Sequence, residues 1–549
     1  MLGLMQNFPL IIPKLLDYAE KFHPHTEIVS KRLEGDVHRY TFKEMGKRTK
    51  RLANALKRLG VNQGDVVGTI AWNGYRHMEL YYALPGIQAL YHTINPRLTS
   101  EQLAYVINHA EDKYLFLESM FIPLVENMID QLPKLKGFVI LCDKEMMPDT
   151  SLPHAMCYEE LLSAESDQYE WEEFDENTAC GICYTSGTTG NPKGVVYSHR
   201  ALVLQAMNTT IGLELTCRDS ILPIVPMFHV NGWTFPFVTA LLGTKLVLPG
   251  KGMDGASVHQ LLNDEQVTFA AGVPTVCLLL INHLKATNGK LPHLNRIVIG
   301  GAAASRSMLE TFRDDYDVEP MHAWGMTETT SMGSAPSMTA RVAARGKAAI
   351  MDATLTQGRS VFGAELKIID DMGDELPMDG KAAGNLCIRG WGIASDYLKG
   401  VSRKEFLDGG WFDTGDVATI NEDGYLQITD RAKDMIKSGG EWISSIDLEN
   451  AATGHPGVLE AAVIGVFHPK WDERPILIIV PHGEPPDRQS VLDHLEGKVA
   501  RWWFPDDIIF VDELPHGATG KVEKKTLREK FKDHKLPAAG IDQVRGIIS

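Results

Sequence analysis

The sequence predicts an α/β protein. A large N-terminal domain of layered α/β subdomains carries a β-rich lobe, and a small mobile α+β C-terminal domain follows. Three observations predict this. Helix-period and strand-like apolar stretches alternate through residues 40–130, as in sheets covered by helices. From about residue 360 the texture turns to short strands and turns. A chain of 549 residues also exceeds what a single hydrophobic core serves.

Taken in order, residues 42–59 place apolar side chains at helical spacing, and 66–70 read as a strand. Residues 101–107 read as a helix and 114–117 as a strand. The stretches 180–184 and 195–197 are short apolar strands bracketing a loop. The same grammar recurs in strands at 245–248, 269–272 and 296–299. The β-rich lobe is read from 365–369, 384–389 and 425–428. After Asp430-Arg-Ala-Lys433 comes a compact block with strands at 461–464 and 476–480 and helices at 491–499 and 526–531. Domains are therefore expected at 1–432 and 433–549. The acidic run 170–176 reads as a solvated surface loop.

Composition narrows the function classes. The apolar fraction of 44% is that of a globular chain. A net charge of −17 repels nucleic acid and anionic membranes. No stretch reaches the ~18 apolar residues of a membrane span, and the N-terminus lacks a charged segment followed by a cleavage site. Seven cysteines scattered through apolar segments read as free, mostly buried thiols in a reducing compartment. Cys180 and Cys183 are read as two small apolar strand residues, not a redox or zinc pair. A cytoplasmic location is expected.

The chemistry begins with the loop Tyr184-Thr-Ser-Gly-Thr-Thr-Gly-Asn-Pro-Lys-Gly194. It offers hydroxyls, backbone N–H groups and one lysine with little side-chain bulk. Glycine lets N–H groups approach a ligand closely, and successive N–H groups form an anion cradle. The loop reads as a polyphosphate site, yet Gly194 follows Lys193 where the common nucleotide-binding loop has Ser or Thr. Further motifs follow: Gly300-Gly-Ala-Ala-Ala-Ser305, His322-Ala-Trp-Gly-Met-Thr-Glu328, Trp411-Phe-Asp-Thr-Gly-Asp416, and Leu514-Pro-His-Gly-Ala-Thr-Gly-Lys521.

This ordered set resembles the adenylate-forming superfamily of acyl-CoA synthetases, luciferases and peptide-synthetase adenylation domains. Within it, the chain is most similar to bacterial medium- and long-chain fatty acyl-CoA synthetases and methylthiopropionate-CoA ligases, through stretches such as Pro226-Met-Phe-His-Val-Asn231. The resemblance implies that Thr185, Ser186, Gly187, Thr188, Thr189, Gly190 and Lys193 hold ATP phosphates. Gly301 and Ala302 would line the adenine and acyl carboxylate. His322, Ala323, Trp324, Gly325 and Met326 would form the adenine segment, with Trp324 stacking where many members carry Tyr. Thr327 would contact the α-phosphate, and Glu328 would hold Mg²⁺ with help from the Thr185 hydroxyl. Asp416 and Arg431 would reach the ribose, and Lys437 would lie near the nucleotide. Lys433 is the hinge position and Lys521 the adenylation lysine. His229, Val230, Trp233, Gly440 and Trp442 would border the acyl and coenzyme A channel.

The implied activity is a fatty acid–CoA ligase using ATP, Mg²⁺ and coenzyme A, and forming a homodimer through the N-terminal domain. Rival readings are a ligase for a short thioether or aryl acid, a luciferase-like oxygenase, and a nucleotide-binding protein without catalysis.

Overall fold

The computed structural model describes residues 1, 3–185, 191–401, 403–439, 441–517 and 521–537. Two seven-stranded sheets dominate the N-terminal part. One runs, edge to edge, through Ala155–Cys157, Phe138–Ile140, Asp112–Leu117, Val66–Ile70, Leu90–Thr93, Ala179–Tyr184 and Gly194–Ser198. The other runs through Glu319–His322, Arg296–Ile299, Phe269–Gly272, Ser220–Pro223, Lys245–Leu248, Glu27–Lys31 and Val37–Thr41. In each, only the last edge strand is antiparallel. The largest apolar cluster takes residues from both sheets and from helices Ile12–Phe22, Phe42–Arg58, Tyr75–Gly86, His199–Gly212 and Phe235–Leu242.

Local sequence explains the layers. Phe42–Arg58 opens with a capping box in which Thr41 and Glu44 satisfy each other's backbone N–H groups. It buries Phe42, Met45, Thr49, Leu52 and Leu56, one stripe at helical spacing. Tyr75–Gly86 is buried on every side. Its Glu79 carboxylate is fully buried and must be paired there. Arg48 supplies the charge at 2.7 Å, and the Tyr158 hydroxyl donates at 2.6 Å. Just before that helix, Asn73 bridges the two sheets. Its amide donates to the Pro223 and Val225 carbonyls at 3.0 and 2.8 Å, and its oxygen accepts from the Met227 N–H at 2.7 Å. This fixes the path of the chain into the site segment at 225–233.

A five-stranded antiparallel sheet of Ala364–Ile369, Gly384–Gly390, Trp411–Ile420, Phe406–Leu407 and Leu426–Arg431 forms the β-rich lobe. Along Trp411–Ile420 every second residue is buried, the period of a half-covered strand. A second five-stranded sheet, of Glu441–Ile443, Ile436–Ser438, Asp472–Pro481, Val458–His468 and Asp507–Phe510, has its own core with Ile436, Leu448, Val463, Leu477 and Val491. Residues 432–435 join the two sheets.

The structure differs from the sequence reading in three places. The helix expected at 491–499 is Arg488–Leu495, because Asp487 accepts from the Ser490 N–H and starts it earlier. The helix expected at 526–531 is Lys524–Lys530. The acidic run is not merely solvated. Trp171 lies on Gly86, where a methyl group would come within 2.4 Å of the ring. Glu173 pairs with Lys14 at 2.7 Å, and Glu176 accepts from the Leu10 N–H at 2.9 Å, so the run ties down the N-terminal segment. Six cysteines are buried free thiols, Cys180 and Cys183 among them, while Cys217 is exposed.

Removing Arg48 leaves Glu79 buried without its counter-charge. Arg48→Ala should lower unfolding stability by about 3–5 kcal/mol. Urea unfolding measures it, and a loss below ~1 kcal/mol would show that the pair contributes no more than an exposed one.

Candidate functional site

A cavity of about 970 Å³ lies where the β-rich lobe and the C-terminal domain meet the second seven-stranded sheet. Thr185, Lys193, His229, Val230, Trp233, Gly301, Ala323, Trp324, Gly325, Met326, Thr327, Glu328, Arg431, Lys433 and Lys521 all line it. Residues separated by more than 300 positions in the chain thus share one space.

The phosphate-type loop is anchored at its base. Strands Ala179–Tyr184 and Gly194–Ser198 pair up to Tyr184 and Gly194. The Thr185 N–H then donates to the Lys193 carbonyl at 2.9 Å, and the Lys193 N–H donates to the Thr185 hydroxyl at 3.3 Å. Ser186, Gly187, Thr188, Thr189 and Gly190 lie outside the described residues. The Lys193 ammonium sits 2.6 Å from Glu405 and 4.7 Å above the Tyr397 ring.

The turn at 324–331 needs Gly325. A Cβ there would fall 1.7 Å from the Ser331 carbonyl oxygen, so no other residue fits this backbone. The turn presents Thr327 and Glu328 at the cavity wall, with the Tyr197 hydroxyl donating to the Thr327 carbonyl at 2.9 Å. Glu328 is 6% exposed, and the Tyr397 hydroxyl donates to it at 2.7 Å. Burial raises the Glu328 carboxyl above the usual range, and the Tyr397 hydrogen bond opposes that rise. Trp324 packs closely on Gly333, where a Cβ would fall 2.3 Å from its ring. Its indole N–H donates to one Asp416 oxygen at 2.9 Å, and the Arg431 guanidinium pairs with the other at 2.8 Å. Asp416 is therefore held from two sides, with lone pairs left to accept further donors.

His322 serves the fold. It is buried, its Nδ1–H donates to the Leu355 carbonyl at 3.1 Å, and its Nε2 accepts from the Ala304 N–H at 3.4 Å. Burial pushes the imidazole down to about 4, so it is neutral. It supports the Gly300–Ser305 loop from beneath rather than facing the cavity. Ala302 is exposed and does not line the cavity.

Residues Val230, Asn231, Gly232, Trp233 and Thr234 all have φ between 39° and 63°. Left-handed backbone costs non-glycine residues about 1–2 kcal/mol each. Neighbours hold it: the Tyr91 hydroxyl donates to Asn231 at 2.9 Å, and the Thr209 and Thr234 hydroxyls lie 2.9 Å apart. The result presses the Trp233 ring against Gly300 and Gly301, within 3.1 Å of where a Gly300 Cβ would stand.

The chain matches the model of the AMP-binding enzymes over residues 16–398 and that of the AMP-binding enzyme C-terminal domain over 447–521. It belongs to the AMP-binding enzyme family. A 3-methylmercaptopropionyl-CoA ligase of Ruegeria lacuscaerulensis is 47% identical over 97% of this chain and 99% of its own. A medium-chain-fatty-acid–CoA ligase of Ectopseudomonas oleovorans is 46% identical over 97% and 98%. A long-chain-fatty-acid–CoA ligase of Thermus thermophilus is 42% identical over 96% and 97%. Among solved structures, an anthranilate CoA ligase in complex with anthranoyl-AMP shares the fold with a TM-score of 0.84 at 24% identity, covering 96% of this chain and 98% of its own.

In this AMP-binding enzyme the cavity is electrostatically primed for anions. Burial, aided by repulsion from Arg431 and Lys433, pushes the Lys521 ammonium down to about 8, against attraction from Asp416. Lys521 still carries its charge at neutral pH. Burial and the Lys521 charge push His229 down to about 4, so it is neutral. Lys437 and Trp442 stand apart: both are exposed, and the Lys437 ammonium lies 5.7 Å over the Trp442 ring. Neither lines the cavity. Gly440 lies outside the described residues. The sequence reading missed Tyr397 and Glu405, which hold Glu328 and Lys193, and the apolar wall of Leu213, Phe235, Val298 and Met332. None belongs to a short motif, so no local signal marked them.

The Lys521 value sets a pH dependence. The kcat/KM for ATP reports groups of the free enzyme. It should hold below about pH 8 and fall above it as Lys521 loses its proton. Lys521→Arg, whose guanidinium stays charged, should lose that alkaline limb. An unaltered enzyme with a flat profile up to about pH 10 would contradict the assignment.

Proposed function

We propose that this chain activates medium- to long-chain fatty acids as coenzyme A thioesters through an acyl-adenylate. The chain is an AMP-forming acyl-CoA ligase, and its substrates are an acid, ATP and coenzyme A. In the first step a carboxylate oxygen attacks the α-phosphorus of ATP and pyrophosphate leaves. In the second, the coenzyme A thiol attacks the acyl carbon, forming the thioester; AMP leaves and the thiol proton goes to solvent.

The observation that carries the reading is the meeting of Lys521 with Thr327, Glu328 and Arg431 around one cavity, with Asp416 paired to Arg431 beside it. Both first-step reactants are anions, so the work is positioning and charge neutralisation. Lys521 neutralises charge between the acyl carboxylate and the α-phosphate. Thr327 donates its hydroxyl there, and Asp416 accepts from the ribose hydroxyls while Trp324 stacks on the adenine. A well-placed charge of this kind is worth roughly 10²–10³ in rate. The residues present fit Mg²⁺: Glu328 is a buried carboxylate whose ionised form a cation would favour, and the Thr185 hydroxyl lines the same cavity. No cluster of three ligands occurs among the described residues, and magnesium needs only one or two beside phosphates. When bound, it neutralises the departing phosphates.

Leu213, Trp233, Phe235, Val298 and Met332 give the cavity an apolar wall suited to an alkyl chain. The second reading, a short thioether acid, is favoured by the similarity to 3-methylmercaptopropionyl-CoA ligase. A homodimer through the N-terminal domain and a cytoplasmic location belong to this proposal. No helix among the described residues is long and apolar enough to cross a membrane.

A ligase assay with ATP, coenzyme A and straight-chain acids of about C2–C18 beside 3-methylthiopropionate decides the substrate; transfer of each CH₂ into the wall is worth about 0.8 kcal/mol. The expected kcat/KM rises about tenfold per two carbons up to a medium-chain optimum. A preference for 3-methylthiopropionate over octanoate overturns the fatty-acid reading.

A further inference from the structure

Lys521 stands in the cavity only if the C-terminal domain is held in this orientation. The structure places a continuous chain of hydrogen bonds, buried at Asp430 and Ser445, across the junction that would hold it. On the N-terminal side, the strand Leu426–Arg431 ends with Asp430, which is 1% exposed. One Asp430 oxygen accepts from the Arg431 N–H at 2.7 Å. The other accepts from the Ser445 N–H at 2.7 Å and from the Ser445 hydroxyl at 2.6 Å. Ser445 opens the helix Ser445–Thr453 of the C-terminal domain and is fully buried. The Lys524 ammonium donates to the same Ser445 oxygen at 2.5 Å and pairs with Glu449 at 2.7 Å. Lys524 begins the helix that directly follows Lys521. Beside this chain the Ser444 hydroxyl donates to the Thr429 carbonyl at 2.5 Å.

We propose that Asp430, Ser445 and Lys524 form a latch that holds the C-terminal domain in its adenylate-forming orientation. These are positioning residues, and the inference rests on the two-step reaction above. Directionality is fully satisfied: Ser445 gives its one proton to Asp430 and accepts from Lys524. The chain links the strand that carries Arg431, the partner of Asp416, to the helix behind Lys521. It therefore sets the lysine and the nucleotide-binding carboxylate in one frame. A domain rotation that withdraws Lys521 must break it. The latch turns on one buried charge. Asp430 is buried, and Lys524 and Glu449 travel together with the C-terminal domain. Rotation would strip Asp430 of the Ser445 donors and the nearby Lys524 ammonium, which is costly for a buried carboxylate. It is thus a two-state element, intact in one orientation and broken in the other. Removing part of it shifts the population away from the adenylating state without touching groups that contact substrate.

The test uses full-length Ser445→Ala and Asp430→Asn and measures the two half-reactions separately. Pyrophosphate release from ATP and octanoate should fall about tenfold or more, the effect of losing a charge-assisted hydrogen bond. Thioester formation from supplied octanoyl-adenylate and coenzyme A should stay within about twofold or rise, as a population shift toward the other state requires. Equal loss in both half-reactions, with an unfolding midpoint close to that of the unaltered chain, would reduce these residues to a structural role and overturn the latch. So would an unchanged rate of pyrophosphate release. If Ser445→Ala does not fold, Asp430→Asn decides by the same split. If the unaltered chain forms no adenylate from any acid, the two-step reading itself fails, and the latch with it.

Discussion

A lysine ammonium placed at the wall of the cavity next to two other cations is the constraint on which the rest of the site depends. The Lys521 charge is opposed by its surroundings: burial and the nearby Arg431 and Lys433 push its pKa down, against attraction from Asp416. Such a cation is poised for incoming anions, which relieve the repulsion as they bind. The other features can be read as conditions for that placement. Trp324 and Arg431 fix Asp416, Tyr397 fixes Glu328, and the junction of Asp430 with Ser445 sets the domain that carries the lysine. A net charge of −17 makes the local arrangement more telling: the cavity collects cations against the field of the whole chain.

The parts legible in the sequence were those with a local physical cause. Strands such as Phe269–Gly272 and Arg296–Ile299 coincide with their apolar runs because central parallel strands are covered on both faces. Gly325 was legible as a tight turn, though only the structure shows that the Ser331 carbonyl forbids a side chain there. Lys521 was legible from its glycine-rich turn within an ordered set of motifs. Tyr397 and Glu405 were not, since their partners Glu328 and Lys193 lie 69 and 212 positions away. Pairings of that separation leave no spacing pattern. The left-handed run at 230–234 was invisible for a related reason: four of its five residues are not glycine, and tertiary contacts impose the conformation.

Some assignments depend on domain orientation. Lys437, Trp442 and Lys521 are all exposed, but only Lys521 lines the cavity. That split fits the proposed rotation about Lys433, in which one face of the small domain serves each half-reaction. Trp233 bears on substrate choice differently. Its strained backbone holds the indole against the Gly300 and Gly301 backbone beside the apolar wall, so a long acyl chain must share or displace that space, whereas a short thioether acid need not.

The central claim is that Lys521 acts in adenylate formation and has no part in thioester formation. It is tested most directly by rapid-quench measurement of both half-reactions in Lys521→Ala. The account predicts pyrophosphate release slowed by roughly 10²–10³, with thioester formation from supplied acyl-adenylate close to the unaltered rate. Equal loss in both half-reactions would contradict it.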